Sequence, residues 1–216
     1  MEDFVAQRAL EGMSEGQFFE FLQTQDEKWE LVDGQPVMMA GANQRHQTVV
    51  ANTAGSLFGK LRGSKCRPTT ADTAVSLPGG SIRFPDVVVD CGPRNDESMV
   101  ATMPTVVIEV LSRSTKIFDS QVKLIEYKAN PAIRCIVLID PDDTCSILHR
   151  RAGAGWEETI YRDIDDVINL PEVGTSLALR EIYDGLEFKP KMVVSIVCPK
   201  CNTTPCVCGE GSALKL

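Results

Sequence analysis

Residues 105–112 read TVVIEVLS, an apolar run in which Glu109 is the only charge. So β-branched a run is read as a strand covered on both faces. An ionised carboxylate in such a strand is costly unless it is paired or bound to a cation. A helix follows, capped by Ser114 or Thr115, carrying Ile117, Val122, Leu124, Ile125 and Tyr127, and stopped by Asn130-Pro131. CIVLID at 135–140 is the next buried strand. A strand, helix and strand over 106–139 predict parallel neighbours joined by a right-handed crossover. The fold class is therefore α/β: mixed α and β around one central sheet, with antiparallel strands on part of it and flanking helices.

The rest of the chain fits that frame. Ser14 and Gln17 have capping-box spacing and open a helix that should end near Gln25. WELV and QPVMM, joined by Asp33-Gly34, read as a β-hairpin. Residues 46–61 carry Val49, Val50, Ala54, Leu57, Phe58 and Leu61 with helical period, one face turned inward. After Cys66 come short strands, TADTAVSL, SIRF and PDVVVD, broken by Pro78-Gly79-Gly80. SILHR and WEETIY follow across an RAGAG turn, and LALREIYDGL closes the body as a short helix. The 216 residues divide into a body at 1–188 and a Cys-rich tail at 189–216. No apolar run reaches the roughly 18 residues of a membrane helix, and MEDFVAQRAL lacks the pattern of a signal peptide, so a cytoplasmic protein with no membrane partner is expected.

Charge and cysteines separate the same two parts. The net charge is −8, but Lys189, Lys191, Lys200 and Lys215 against Glu210 leave the tail at +3 and the body at −11. So acidic a body argues against a nonspecific electrostatic nucleic-acid binder, which needs many Lys and Arg contacts to phosphate. It is compatible with an enzyme that handles phosphate through a bound cation. Cys66, Cys91, Cys135 and Cys145 are scattered and read as reduced thiols, with Cys135 in the core. Cys198, Cys201, Cys206 and Cys208 in the tail offer four thiolates to Zn²⁺, although one residue between the last two makes a cramped site. The alternative is an accessory tail of reactive thiols, or a small contact module for nucleic acid or protein.

Asp86 stands at the mouth of the Val-rich strand PDVVVD, and Glu109 lies inside another strand. Such a pair on adjacent strands suits a hard cation, since Mg²⁺ typically takes one or two carboxylates plus waters and phosphate oxygens. Asp119, Lys123 and Tyr127 follow at i, i+4 and i+8 on one helical face. A solvated Asp119–Lys123 ion pair is the plain reading. With Val122 and Ile125 beside it, however, Lys123 can instead point over the sheet toward Glu109.

Taken in order, these residues form a pattern: WELVDG at 29–34, His46-Gln47, FPDVVV at 84–89, VIEVLS at 107–112, Ser114-Thr115 with Asp119, Lys123 and Tyr127, and LIDP at 138–141. The ordered set resembles the Uma-two family of restriction-endonuclease-like proteins, from about residue 18 to 183. That resemblance implies the PD-(D/E)XK nuclease fold and divalent-metal phosphodiester hydrolysis, with Mg²⁺ or Mn²⁺ as cofactor and nucleic acid, in the first place DNA, as partner. It makes Asp86 the PD aspartate and Glu109 the second metal carboxylate, with the backbone carbonyl of Leu111 as a third donor. The usual motif lysine would fall at Leu111, and its place is taken by Lys123 on the following helix. Glu30 resembles an early acidic residue that ligates or orients, and His46 a histidine near the same cleft, with a helix cap or an exposed position as its alternative. Arg113 departs from the pattern, where proline is expected. Many nucleases that cut both strands act as dimers, so a homodimer is compatible with this resemblance. The rival reading is a catalytically silent nuclease-fold scaffold that binds protein or nucleic acid, with the tail as its contact module.

Overall fold

The structure, a computed structural model, describes residues 12–111 and 118–188, with the backbone alone at 118–120. The tail cysteines, Arg113 and the cap at Ser114 or Thr115 lie outside the described residues. The described residues up to Leu186 form one compact unit, and the fold below is that of this unit.

Helix α1 (Glu15–Leu22) opens on the predicted capping box: the Ser14 backbone N–H donates to the Gln17 side chain at 2.9 Å, and the Gln17 N–H donates back to Ser14 Oγ at 3.4 Å. It ends one turn short of Gln25, with Phe18 fully buried under it. Strands β1 (Trp29–Val32) and β2 (Gln35–Met38) form the hairpin. Asp33 and Gly34 both have positive φ, 48° and 76°, as a two-residue turn of this hand requires.

Helix α2 (Gln44–Lys60) is capped by Asn43, whose side chain accepts from the His46 N–H at 2.9 Å. It buries Val49, Val50, Ala54 and Leu57 as expected, but Thr53 takes an inward position and Phe58 is half exposed. Strands β3 (Arg67–Thr70), β4 (Val75–Ser76), β5 (Ile82–Arg83), β6 (Val87–Asp90) and β7 (Pro104–Val110) follow. Helix α3 (Phe118–Ala129) then leads into β8 (Cys135–Asp140), β9 (Cys145–Ala152) and β10 (Gly155–Tyr161). The closing helix expected at LALREIYDGL is the short α4 (Leu179–Ile182); its first two residues, Leu177 and Ala178, instead end β12 (Thr175–Ala178), which forms a hairpin with β11 (Val167–Leu170). Pro171 to Val173 make a 3₁₀ turn, ended by Gly174 at φ 70°.

The central sheet has the order β10-β9-β8-β7-β6-β3. Its β7 and β8 are parallel, as the strand–helix–strand reading predicts, and its other pairs are antiparallel, so the sheet is mixed. A second sheet, β2-β1-β5-β4, stands apart from it in hydrogen bonding. Strands β6, β7 and β8 are buried on both faces, which is why their sequences read as unbroken apolar runs rather than alternating ones. One core cluster gathers Val88, Val107, Ile136 and Leu138 of the sheet with Tyr127 of α3. Another gathers Phe18, Leu31, Ile82 and Phe84 beneath α1.

One expectation is corrected here. Cys66 and Cys91 form a disulfide, so the body cysteines are not all reduced; Cys135 and Cys145 are free. The β3–β6 register explains the pairing: Arg67 lies opposite Asp90, so the next pair outward is Cys66 and Cys91, with Cα atoms 4.0 Å apart. Closing a loop across a separation of 25 residues stabilises by roughly 3 kcal/mol in the chain-entropy picture. Cys91→Ser should therefore lower the melting temperature, and a reducing agent should lower it equally in the parent but not in the variant.

Candidate active site

The central register builds the site. Val87 of β6 lies opposite Ile108 of β7, so one step further Asp86 comes opposite Glu109. Asp86 Oδ2 accepts the Val110 N–H at 2.8 Å, which fixes the carboxylate against the end of β7. Glu109 has the same parity as Val107 and so faces α3, where the Tyr127 hydroxyl donates to Glu109 Oε1 at 2.7 Å. Lys123, one helical turn before Tyr127, places its ammonium 3.5 Å from the same oxygen. Among the described residues, Asp86 Oδ1 and Glu109 Oε2 accept no hydrogen bond, which leaves two hard oxygens open at the meeting of two strand ends.

A second row stands behind the first. Leu31 of β1 lies opposite Ile82 of β5, so Glu30 and Arg83 face each other one step along. Arg83 NH1 donates to Glu30 Oε2 at 2.9 Å, and its Nε donates to Glu126 Oε2 at 2.7 Å. Glu30 Oε1 accepts Lys123 at 2.8 Å and the Phe84 N–H at 3.3 Å. Ser81 Oγ donates to the other Glu126 oxygen at 3.0 Å. The run Glu126, Arg83, Glu30, Lys123, Glu109 and Tyr127 is thus continuous, and α3 turns polar side chains, not only apolar ones, toward the sheets.

Burial sets the protonation states. Glu109 is pushed up to about 7: burial disfavours its charge, the Lys123 ammonium opposes that shift, and the Asp86 and Glu30 carboxylates add to it. Burial alone would lower Lys123, but the charges of Glu109 and Glu30 and the hydrogen bond to Glu30 outweigh it and hold the ammonium well above its ordinary range. Tyr127 is raised by burial and by the charges of Glu109 and Glu30, and so remains a neutral donor.

His46 joins from α2. Its Nε2 donates to the Val110 carbonyl at 2.9 Å and lies 3.4 Å from Asp86 Oδ2. Burial lowers its pKa, but the hydrogen bond and charge of Asp86, the Val110 carbonyl and the charge of Glu109 together raise it above the usual value. Its Nδ1 is buried without a partner among the described residues. His46 is neither a cap nor exposed: Asn43 caps α2, and the imidazole is a buried link between α2 and the Asp86 end of the sheet.

The structure brings together Glu30, His46, Asp86, Glu109, Lys123 and Tyr127. Leu111 continues the strand end, its N–H donating to the Ile139 carbonyl at 2.8 Å. The Asp119 side chain lies outside the described residues; among the described residues the partners of Lys123 are Glu30 and Glu109. Ile125, expected beside the buried face, is 70% exposed. Arg83 and Glu126 were missed. The only signal for them was Arg83 standing between apolar residues just before Phe84-Pro85-Asp86.

Four carboxylates, Glu30, Asp86, Glu109 and Glu126, meet two cations, Arg83 and Lys123, an excess of two negative charges when all are ionised. No group of three His, Cys, Asp or Glu side chains converges on a cation position among the described residues. Both oxygens of Glu30 are taken up, Oε2 by Arg83 and Oε1 by Lys123. A donor set of two open carboxylate oxygens, with backbone and water oxygens for the rest, fits Mg²⁺ or Mn²⁺ and does not suit a zinc cage.

The fold is shared with a crystal structure described as a putative nuclease belonging to DUF820, from Anabaena variabilis, which is matched over 76% of this chain and 95% of that one, with a TM-score of 0.62 and 17% identity. The chain belongs to the Uma2 family, described as a putative restriction endonuclease, whose model matches residues 16–180. It is also 28% identical over 179 residues to an uncharacterised protein of Synechocystis sp., covering 82% of this chain and 94% of that one. No helix among the described residues is long and apolar enough to cross a membrane.

Proposed function

We propose that this chain is a divalent-metal-dependent endonuclease that hydrolyses phosphodiester bonds in DNA. The observation that carries the reading is Glu109: a carboxylate inside a doubly buried strand, opposite Asp86 and beside a lysine, in a cluster of four carboxylates and two cations. Family membership supports the reaction class.

Asp86, Glu109 and the Leu111 carbonyl are the residues that would hold Mg²⁺ or Mn²⁺. Bound there, the cation would supply Lewis-acid polarisation of the phosphate and a more acidic water. The chain's own residues do the rest. Asp86 is held in place by the Val110 N–H and by His46. Tyr127 and Lys123 fix Glu109 Oε1, leaving Oε2 free for a ligand. Lys123 stays protonated, so it serves as a positive charge that orients the attacking water and offsets charge building on phosphate, not as a base. The cation also answers the acidity of the body, since it provides locally the positive charge that the surface lacks.

Titration calorimetry with Mn²⁺ tests the metal step. Binding by the full-length chain that disappears in Asp86→Asn, with the fold retained by circular dichroism, is the expected result. Equal binding in both proteins, or none in the parent, would remove Asp86 from the site.

A further inference from the structure

The ion-pair chain behind Glu109 does not stop at the residues that the proposed reaction uses. Arg83 has a side chain only 4% exposed, and it spends two guanidinium edges on two carboxylates, Nε on Glu126 at 2.7 Å and NH1 on Glu30 at 2.9 Å. A planar fork can hold two such partners in fixed relation, whereas a lysine in its place would be a point charge free to favour either one. Glu126 is locked in turn by Ser81 Oγ, and Glu30 by the Phe84 N–H. Glu126 and Lys123 are three residues apart on α3, so both ends of the chain are anchored on one helical face. Stability alone explains this poorly, because a buried ion chain can usually be replaced by well-packed apolar groups without loss. What the chain does fix is the place of its last cation, Lys123, held 2.8 Å from Glu30 and 3.5 Å from Glu109.

We propose that Arg83 is a positioning residue of this site: clamped by Glu126 and Ser81, it sets the Glu30 carboxylate and through it the Lys123 ammonium beside Glu109. The role rests on the hydrolytic reading given above and extends it to residues that touch neither phosphate nor metal. Lys123 would then act at full effect only while Arg83 holds Glu30. Glu126, on the face of it a surface acid, belongs to the same device.

The test uses the full-length chain and three variants, Arg83→Met, Arg83→Lys and Glu126→Gln. In folded Arg83→Met, kcat for plasmid nicking with Mn²⁺ should fall roughly 100-fold, the scale of a misplaced group, while KM for DNA and the Mn²⁺ affinity stay at parent values. Arg83→Lys should recover part of the rate. Independently of turnover, the ¹⁵N–¹H signal of the Lys123 ammonium should be sharp and slowly exchanging in the parent and lost in Arg83→Met. If Arg83→Met fails to fold, Glu126→Gln, which keeps shape and removes one partner, should show the same losses to a smaller degree. A folded Arg83→Met or Glu126→Gln with parent kcat and an unchanged Lys123 signal would overturn this inference alone. A parent that neither cuts nor binds Mn²⁺ would remove the hydrolytic reading and this role with it.

Discussion

Glu109→Gln should abolish metal-dependent cleavage and at the same time raise the melting temperature of the chelator-treated protein above about pH 7. Glutamine keeps an oxygen for the Tyr127 hydroxyl but removes the charge that burial disfavours. The sign follows from linkage. The Glu109 carboxyl titrates near 7 in the fold against 4.5 in the unfolded chain. Below the unfolded value it is protonated in both states and costs nothing; as pH rises through the folded value, stability is lost. The loss is fully present above about pH 7 and amounts to roughly 3 kcal/mol. For a chain of this size that corresponds to about 10 °C in the melting temperature. The advantage of the variant should shrink on acidification and vanish near the unfolded value. A variant that melts at or below the parent across this range would contradict the account of Glu109 as a strained, functional carboxylate.

Lys123→Met has the second large effect, in the opposite direction for stability. It removes the cation between Glu30 and Glu109, whose side chains are 8% and 14% exposed. Stripping one partner from a buried pair typically costs about 3 kcal/mol, because the remaining charge is left uncompensated. Cleavage should be lost as well. The two substitutions should not add: with Glu109 already neutral as glutamine, loss of Lys123 should destabilise much less. Thermal melts of both single variants and the double variant measure that coupling. Additive shifts would mean that Lys123 and Glu109 do not act on each other as the 3.5 Å contact requires.

What could be read from the sequence follows physical locality. The α1 capping box, the Asp33-Gly34 hairpin and the β7–α3–β8 unit are set by short-range spacing, and each appears in the structure as predicted. Glu109 stood out because a charge breaks an apolar run, and Lys123 because it lies on the Tyr127 face of the next helix. Glu126 gave no such signal, and Arg83 only the faint one of a charge between Ile82 and Phe84. Their partners lie 43 to 53 residues away along the chain, so only the folded arrangement reveals that they are buried and paired. The Cys66–Cys91 bond was missed for the same reason, since the β3–β6 register, not the cysteine spacing, brings them together. His46 gave too little to choose between cap, exposed residue and site residue, and only the packing against Val110 and Asp86 shows it buried beside Asp86 rather than capping or exposed. The β11–β12 hairpin escaped because its connection is a 3₁₀ turn rather than a tight two-residue loop.

Metal-dependent nicking of supercoiled and single-stranded DNA, by the full-length protein and by Asp86→Ala prepared in parallel, tests the central claim most directly. Cutting by the parent in Mg²⁺ or Mn²⁺, abolished by a chelator and absent from a folded Asp86→Ala, is the predicted result. Equal cutting by both proteins, or no cutting by the parent with either metal on either substrate, would contradict hydrolysis at the Asp86–Glu109 site.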